Sequence, residues 1–232
     1  MGAAYWAALP TFLIALLSRE WQRVRILFVS TLMFSLLVVT ITLRHLDAFH
    51  LDSGPFLAQL AAWIWLVAYV AIPAVMLLSL ILQERAGGSQ EYDVSHPLVP
   101  LVRVGLVVQA ALLTTLGLAF FFLPAQFRDI WPWPAPPLPA GAIAAWIFGF
   151  GCGSLWALRD RDWRRIRITI PFYVLFYAFL LIAAVRFWDT FADADRRLVY
   201  VAILVSAILL TLVAAWKQER EAQMTLTRVS AD

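Results

Sequence analysis

The sequence predicts an all-α transmembrane protein with seven spans, six long and one short, arranged as a parallel 3+1+3 internal repeat with the N-terminus outside and the C-terminus inside. Composition is the first ground for this. Of 232 residues, 62% are hydrophobic and only 14% charged, at a mean hydropathy of +0.80; a soluble domain carries about 25% charged residues. The apolar residues form uncharged runs long enough to cross a hydrocarbon core of about 30 Å at about 1.5 Å per helical residue. Barrel strands would be about ten residues long and alternate in polarity.

The second ground is a repeat. Residues 18–26 (SREWQRVRI) align without a gap on residues 160–168 (DRDWRRIRI), 142 positions later. The same offset carries Phe34 onto Phe176, Arg44 onto Arg186, Asp47 onto Asp189 and Phe49 onto Phe191. The third ground is arginine asymmetry. Loops 18–25, 83–97, 159–167 and the tail after 216 hold twelve basic residues against five in the opposite loops (Arg44, Arg128, Arg186, Arg196, Arg197). Basic loops are retained in the cytoplasm, which orients the chain.

Taken in order, residues 2–17 are apolar but only about 24 Å long as a helix, and alone they read as an interfacial or re-entrant segment. The repeat alters that reading: Gly2-Ala3-Ala4-Tyr5-Trp6 resembles Ile143-Ala144-Ala145-Trp146 at nearly the same distance from a basic loop. Residues 2–17 are therefore taken as a short spanning helix. Longer spans follow at 26–43, 56–82, 99–124, 138–158, 168–186 and 198–216. Pro73 removes a hydrogen bond inside the second of these, and a kink is predicted there. Gln83-Glu84-Arg85 and Gln218-Glu219-Arg220 repeat at an offset of 135. The organisation is then a first three-helix unit over 1–82, a linking helix with a Trp/Pro-rich outer loop over 83–137, and a second three-helix unit with a cytoplasmic tail over 138–232. Four helices per period leave both units in the same orientation, related by an axis along the membrane normal.

Several functions lose support on composition. A pI near 9.3 would point to nucleic acid in a soluble protein, but here the arginines sit in short loops where topology explains them, so no nucleic-acid partner is expected. Seventeen Arg against one lysine, Lys217, fit a GC-rich bacterial source and hence the cytoplasmic (inner) membrane. The single cysteine, Cys152, forbids an internal disulfide. No basic region precedes Arg19, so no cleavable signal is predicted. No Asp, Glu or His lies deep in a span, which disfavours proton relays and bis-histidine haem. Lys217 sits at a helix end, unsuited to a retinal Schiff base. No nucleophile has a histidine in a buried site, so no catalytic residue, no cofactor and no enzymatic activity are expected.

Five motifs remain. Gly141, Ala145, Gly149, Gly153 and Ala157 place a small residue at every fourth position of one span, a stripe suited to close helix packing or to a groove for a flat ligand. Arg44/Asp47 and Arg186/Asp189 recur at the outer ends of equivalent spans, spaced for helix-end ion pairs. The alternative is an outer vestibule lined by those four residues, with Trp63 and Gln109 as binding groups within the spans. His45, Asp47, His50 and Asp52 gather nitrogen and oxygen ligands in eight residues, a speculative metal set. The second copy has Phe187 and Thr190 at the positions of His45 and Ala48, and no histidine. Trp131, Trp133 and the prolines 132, 134, 136, 137 and 139 fit a headgroup-level belt or a lid.

The stretches GAAYWAAL at 2–9, REWQRVR at 19–25, RHLDAFH at 44–50 and AAWIWL at 61–66 resemble an uncharacterised family of bacterial polytopic membrane proteins. That resemblance implies no activity; in such proteins more sequence precedes the GAAYW segment, which implies a start inside a helix. The 3+1+3 plan also resembles that of the SWEET and PQ-loop transporters, without their Pro-Gln signature. Three functions fit. The chain binds or passes a small neutral or amphipathic molecule between its two units; it is a structural subunit of a larger membrane complex; or it is a metal-dependent enzyme at the outer His/Asp cluster. Expected partners are membrane lipid, further copies of the chain or other membrane subunits.

Overall fold

The computed structural model describes residues 2–88, 94 and 96–229; residues 89–93 and 95 of the predicted inner loop, and 230–232 of the predicted tail, lie outside it. The helices are α1 (Gly2–Leu17), α2 (Trp21–Arg44), α3 (Phe56–Gln83), α4 (Pro100–Phe122), α5 (Pro124–Ile130), α6 (Pro137–Asp160), α7 (Trp163–Ile166), α8 (Ile170–Arg186) and α9 (Ala194–Val229). Among the described residues there is no strand, only one bridge between Pro97 and Asp162.

Among the described residues, six helical segments are long and apolar enough to cross a membrane: Trp21–Arg44, Phe56–Gly87, Pro100–Phe122, Pro137–Asp160, Trp163–Arg186 and Ala194–Met224. A shorter apolar helix, α1 (Gly2–Leu17), precedes them. With 16 residues, α1 reaches about 24 Å, short of a core of about 30 Å. Several boundaries differ from the predicted ones. The predicted inner loop 159–167 contains α7, started by Asp162, whose carboxylate accepts the Arg164 N–H at 2.9 Å. α9 runs for 36 residues, about 54 Å, well past the predicted span 198–216. α3 continues through Pro73 and ends in a π turn, Glu84–Gly88, where Gly87 takes φ 94°.

Two segments 142 residues apart share some local features. α2 is 24 residues long, and so is the segment Trp163–Arg186. Each is followed by a one-turn 3-10 helix, Leu46–Ala48 and Trp188–Thr190 respectively. Glu20 and Asp162 precede them in the same extended conformation.

α6 lies between α2 and α4 and packs on both. Lipid gives apolar helices no reason to associate, so close backbone approach must supply the contact energy. One face of α6 offers the small-residue stripe to α2. Gly141 meets Ile41, Gly149 meets Phe34 and the Ser30 carbonyl, and Gly153 meets Ser30. Ala145 and Ala157 are buried with Phe34 and Ile26. The opposite face approaches α4 even more closely: a Cβ on Gly117 would stand 2.5 Å from the Phe148 backbone nitrogen, and one on Gly151 2.5 Å from that of Thr114. α1 packs chiefly on α8, α2 also on α3, and α8 also on α9. Residues such as Leu16, Leu57 and Leu210 are exposed, as side chains facing acyl chains would be.

The helix ends carrying the arginine-rich segments are tied by two clusters. Trp21 Nε1 and Arg25 both reach Glu84 Oε1, at 3.5 and 3.3 Å. At the offset positions, Trp163 Nε1 donates to Glu219 Oε1 at 2.7 Å, and Arg167 stands 3.9 Å from the same oxygen. Buried Gln218 fixes the segment before α4, accepting the Val99 N–H at 2.8 Å and donating to the Pro97 carbonyl at 3.0 Å.

Candidate functional site

Five helices leave a central cavity of about 490 Å³. α1 contributes Tyr5, Ala8 and Thr11; α2 contributes Ser30, Thr31, Phe34 and Ser35; α3 contributes Tyr69; α6 contributes Trp146 and Gly149; α8 contributes Phe172 and Tyr173. The space exists because α1 leans on α8 rather than on its chain neighbour α2, and because α2 carries small polar residues where α8 carries rings. By the offset of 142, Ser30, Thr31 and Ser35 correspond to Phe172, Tyr173 and Tyr177.

Trp146 is the hub of the wall. Its ring lies 4.1 Å from Phe34, 5.6 Å from Phe150 and 5.8 Å from Tyr5, with Phe172 stacked at 6.3 Å. The Tyr5 and Tyr69 hydroxyls bond to each other across the gap between α1 and α3. Most other polar groups of the wall are spent on backbone carbonyls: Ser30 on Gly149 at 2.8 Å, Ser35 on Leu32 at 2.9 Å and Thr169 on Ile166 at 2.8 Å. Two are not. Thr11 is 2% exposed and its Oγ1 has no partner, and neither has the buried Nε1 of Trp146. A buried donor left unpaired costs about 1–3 kcal/mol, but both atoms are closed off from the open space of the cavity, so a polar group placed there meets them only if the wall shifts. No Asp, Glu, Arg, Lys or His lines the cavity among the described residues. The site can therefore hold a largely apolar, uncharged molecule, and its lining offers nothing to neutralise an ion.

The residues singled out in the sequence lie elsewhere. Arg44 sits over the Phe121 ring at 5.1 Å and Arg186 over Phe187 at 5.7 Å; neither forms an ion pair with Asp47 or Asp189. The predicted pairing assumed a continuous helical face. In fact α2 and α8 stop at the arginines, and the aspartates fall in the 3-10 turns. Trp63 is half-exposed and donates to the Leu51 carbonyl at 3.2 Å. Gln109 lies on α4 beside the Tyr173 hydroxyl. None of these six residues lines the central cavity.

As for the speculative metal set His45, Asp47, His50 and Asp52, among the described residues no three His, Cys, Asp or Glu converge on a possible ion site. His45 Nδ1 is bonded to the Ile41 carbonyl at 3.1 Å, and the His50 ring lies against Gly54. The Trp/Pro loop forms no lid on the central cavity. It folds onto the start of α9, with Trp133 5.3 Å from Tyr200 and 5.7 Å from Phe191.

Thr11, Tyr5, Tyr69 and Trp146 were not marked as site residues in the sequence. The one available signal was the weak alignment of Ala4-Tyr5 with Ala145-Trp146, whose two aromatic members touch in the fold.

Fold and composition define a helical, multi-pass membrane protein. No protein-family model, curated protein or solved structure matches the chain.

Proposed function

We propose that the protein binds, and by its cavity passes, a small neutral or amphipathic molecule between two pseudo-symmetric three-helix units of a bacterial inner-membrane protein. The observation that carries this reading is the central cavity and its apolar wall, within which two polar atoms, Thr11 Oγ1 and Trp146 Nε1, lie buried and unpartnered. The indole N–H donates only, and the hydroxyl donates or accepts. The ligand is then a mostly apolar molecule, reaching the cavity from lipid beside α1; a carbonyl or hydroxyl oxygen on it meets these atoms only if the wall shifts.

The two-unit organisation is part of the same proposal. It is supported by reciprocal packing: α1 on α8 mirrors α6 on α2, and α2 on α3 mirrors α8 on α9. In this arrangement the units exchange their first helices, and the cavity lies at the exchange. The orientation, N-terminus outside and C-terminus inside, rests on the arginine distribution.

The test is retention. Solvent extraction and mass spectrometry of the protein purified from native membranes should find one neutral amphipathic molecule near stoichiometry. Thr31→Tyr, which copies the ring at position 173 into the cavity, should lower retention about tenfold, or about 1.4 kcal/mol, without loss of thermal stability. Thr11→Val combined with Trp146→Phe, which leaves the volume open, should weaken it only if the wall shifts onto the ligand. Equal retention by wild type and Thr31→Tyr, or no bound molecule at all, would remove the reading.

A further inference from the structure

The two arginine clusters are related in sequence but not in partners. Arg25 is buried between two carboxylates, 2.7 Å from Asp160 and 3.3 Å from Glu84. Arg167, its equivalent at the offset of 142, is half-exposed with Glu219 alone, at 3.9 Å. The residue equivalent to Asp160 is Ser18, so the second acidic position is vacant. A hollow of about 450 Å³ opens there, with Ser18, Arg164 and Arg167 on its polar side. Arg164 forms no ion pair among the described residues. Arg23, also on the rim, is 2.6 Å from Glu20. Three guanidinium groups thus face two carboxylates, Glu219 and Glu20, and Glu219 is already engaged by Trp163. The opposite wall is apolar: Ile14, Ile170 and Ala215.

We propose that this hollow binds a phosphate group carried on an apolar chain, the headgroup of an anionic phospholipid in the inner leaflet. Arg164 and Arg167 hold the phosphate oxygens by charge-assisted hydrogen bonds, for which the planar guanidinium is well shaped. Ser18 donates from the position where an aspartate, as in the Arg25 cluster, would repel, and the Ile14–Ile170–Ala215 wall seats the first methylenes of the acyl chain. The apolar wall favours a lipid phosphate over free phosphate. The site is separate from the central cavity and stands or falls without it.

The test uses the full chain in nanodiscs of phosphatidylcholine with or without phosphatidylglycerol, reading retained lipid by native mass spectrometry. Wild type retains one phosphatidylglycerol, and inorganic phosphate does not displace it. Ser18→Asp, which restores the carboxylate that Arg25 enjoys, lowers retention about tenfold or more, and Arg164→Gln does the same. Arg220→Gln, outside the hollow and over Trp216, changes nothing. Ser18 sits at a helix boundary, so Ser18→Asp is expected to fold; should it not, Arg164→Gln decides alone. Unchanged retention in Arg164→Gln, or loss equal to it in Arg220→Gln, overturns the site. Displacement by inorganic phosphate overturns the lipid as its ligand.

Discussion

Arg25 and Arg167 occupy equivalent places in the repeated segments, yet their surroundings set very different energies. Arg25 and Asp160 have side chains 10% and 2% exposed. Removing one partner of such a pair strands a charge out of water, at a cost of about 3–5 kcal/mol. Arg167 and Glu219 are 51% and 45% exposed at 3.9 Å, where an ion pair contributes about 0–1 kcal/mol. Arg25→Gln is therefore expected to destabilise strongly and Arg167→Gln barely, as measured by reversible unfolding of the purified protein. Equal effects would contradict this account. Both arginines were legible in the sequence only as topology signals, because the partner of Arg25 lies 135 residues away and nothing local announces it. The same gap misplaced Arg44 and Asp47. Their spacing suits a helix, and the backbone leaves the helix between them.

At the scale of elements, α6 shows which packing a sequence reveals. Its stripe toward α2 was visible because small residues recur every fourth position from Gly141 to Ala157. Its contact with α4 was not, since Gly117 and Gly151 stand outside any such period. A Cβ on Gly117 meets backbone at Phe148, which cannot rotate away, whereas a Cβ on Gly105 in the same helix meets nothing within 4 Å. Gly117→Ala is expected to cost about 1–3 kcal/mol by overpacking. Gly105→Ala is expected to be neutral or to stabilise by up to about 1 kcal/mol through helix propensity. Thermal unfolding in one detergent compares the two directly; a harmless Gly117→Ala would mean that α4 and α6 stand further apart. α7 eluded the sequence for another reason. Its arginine-rich composition reads as loop, but the cap at Asp162 and the left-handed Arg161 (φ 54°) start a new helix immediately after α6.

At the scale of the whole molecule, the proposed exchange of first helices makes a prediction that links two unlike places. On the α2–α6 side, a Cβ built on Gly153 lies 3.3 Å from Ser30 Cβ, close to the separation of about 3.5–4.5 Å that a disulfide spans. Subtracting 142 from Gly153 and adding it to Ser30 gives the related pair on the α1–α8 side, Thr11 and Phe172, which both line the central cavity. In a Cys152→Ser background, the double variant Ser30→Cys/Gly153→Cys should oxidise readily to an intramolecular disulfide, seen as a mobility shift reversed by reductant. If the units are related about the membrane normal, Thr11→Cys/Phe172→Cys should do the same. A mismatched pair, Thr11→Cys with Ser30→Cys, joins α1 to α2, which scarcely touch, and should stay reduced until a longer bifunctional reagent is added. Ready linkage of the first pair with none of the second would leave the sequence repeat standing as shared ancestry of segments, without the rotational symmetry that puts a ligand between them.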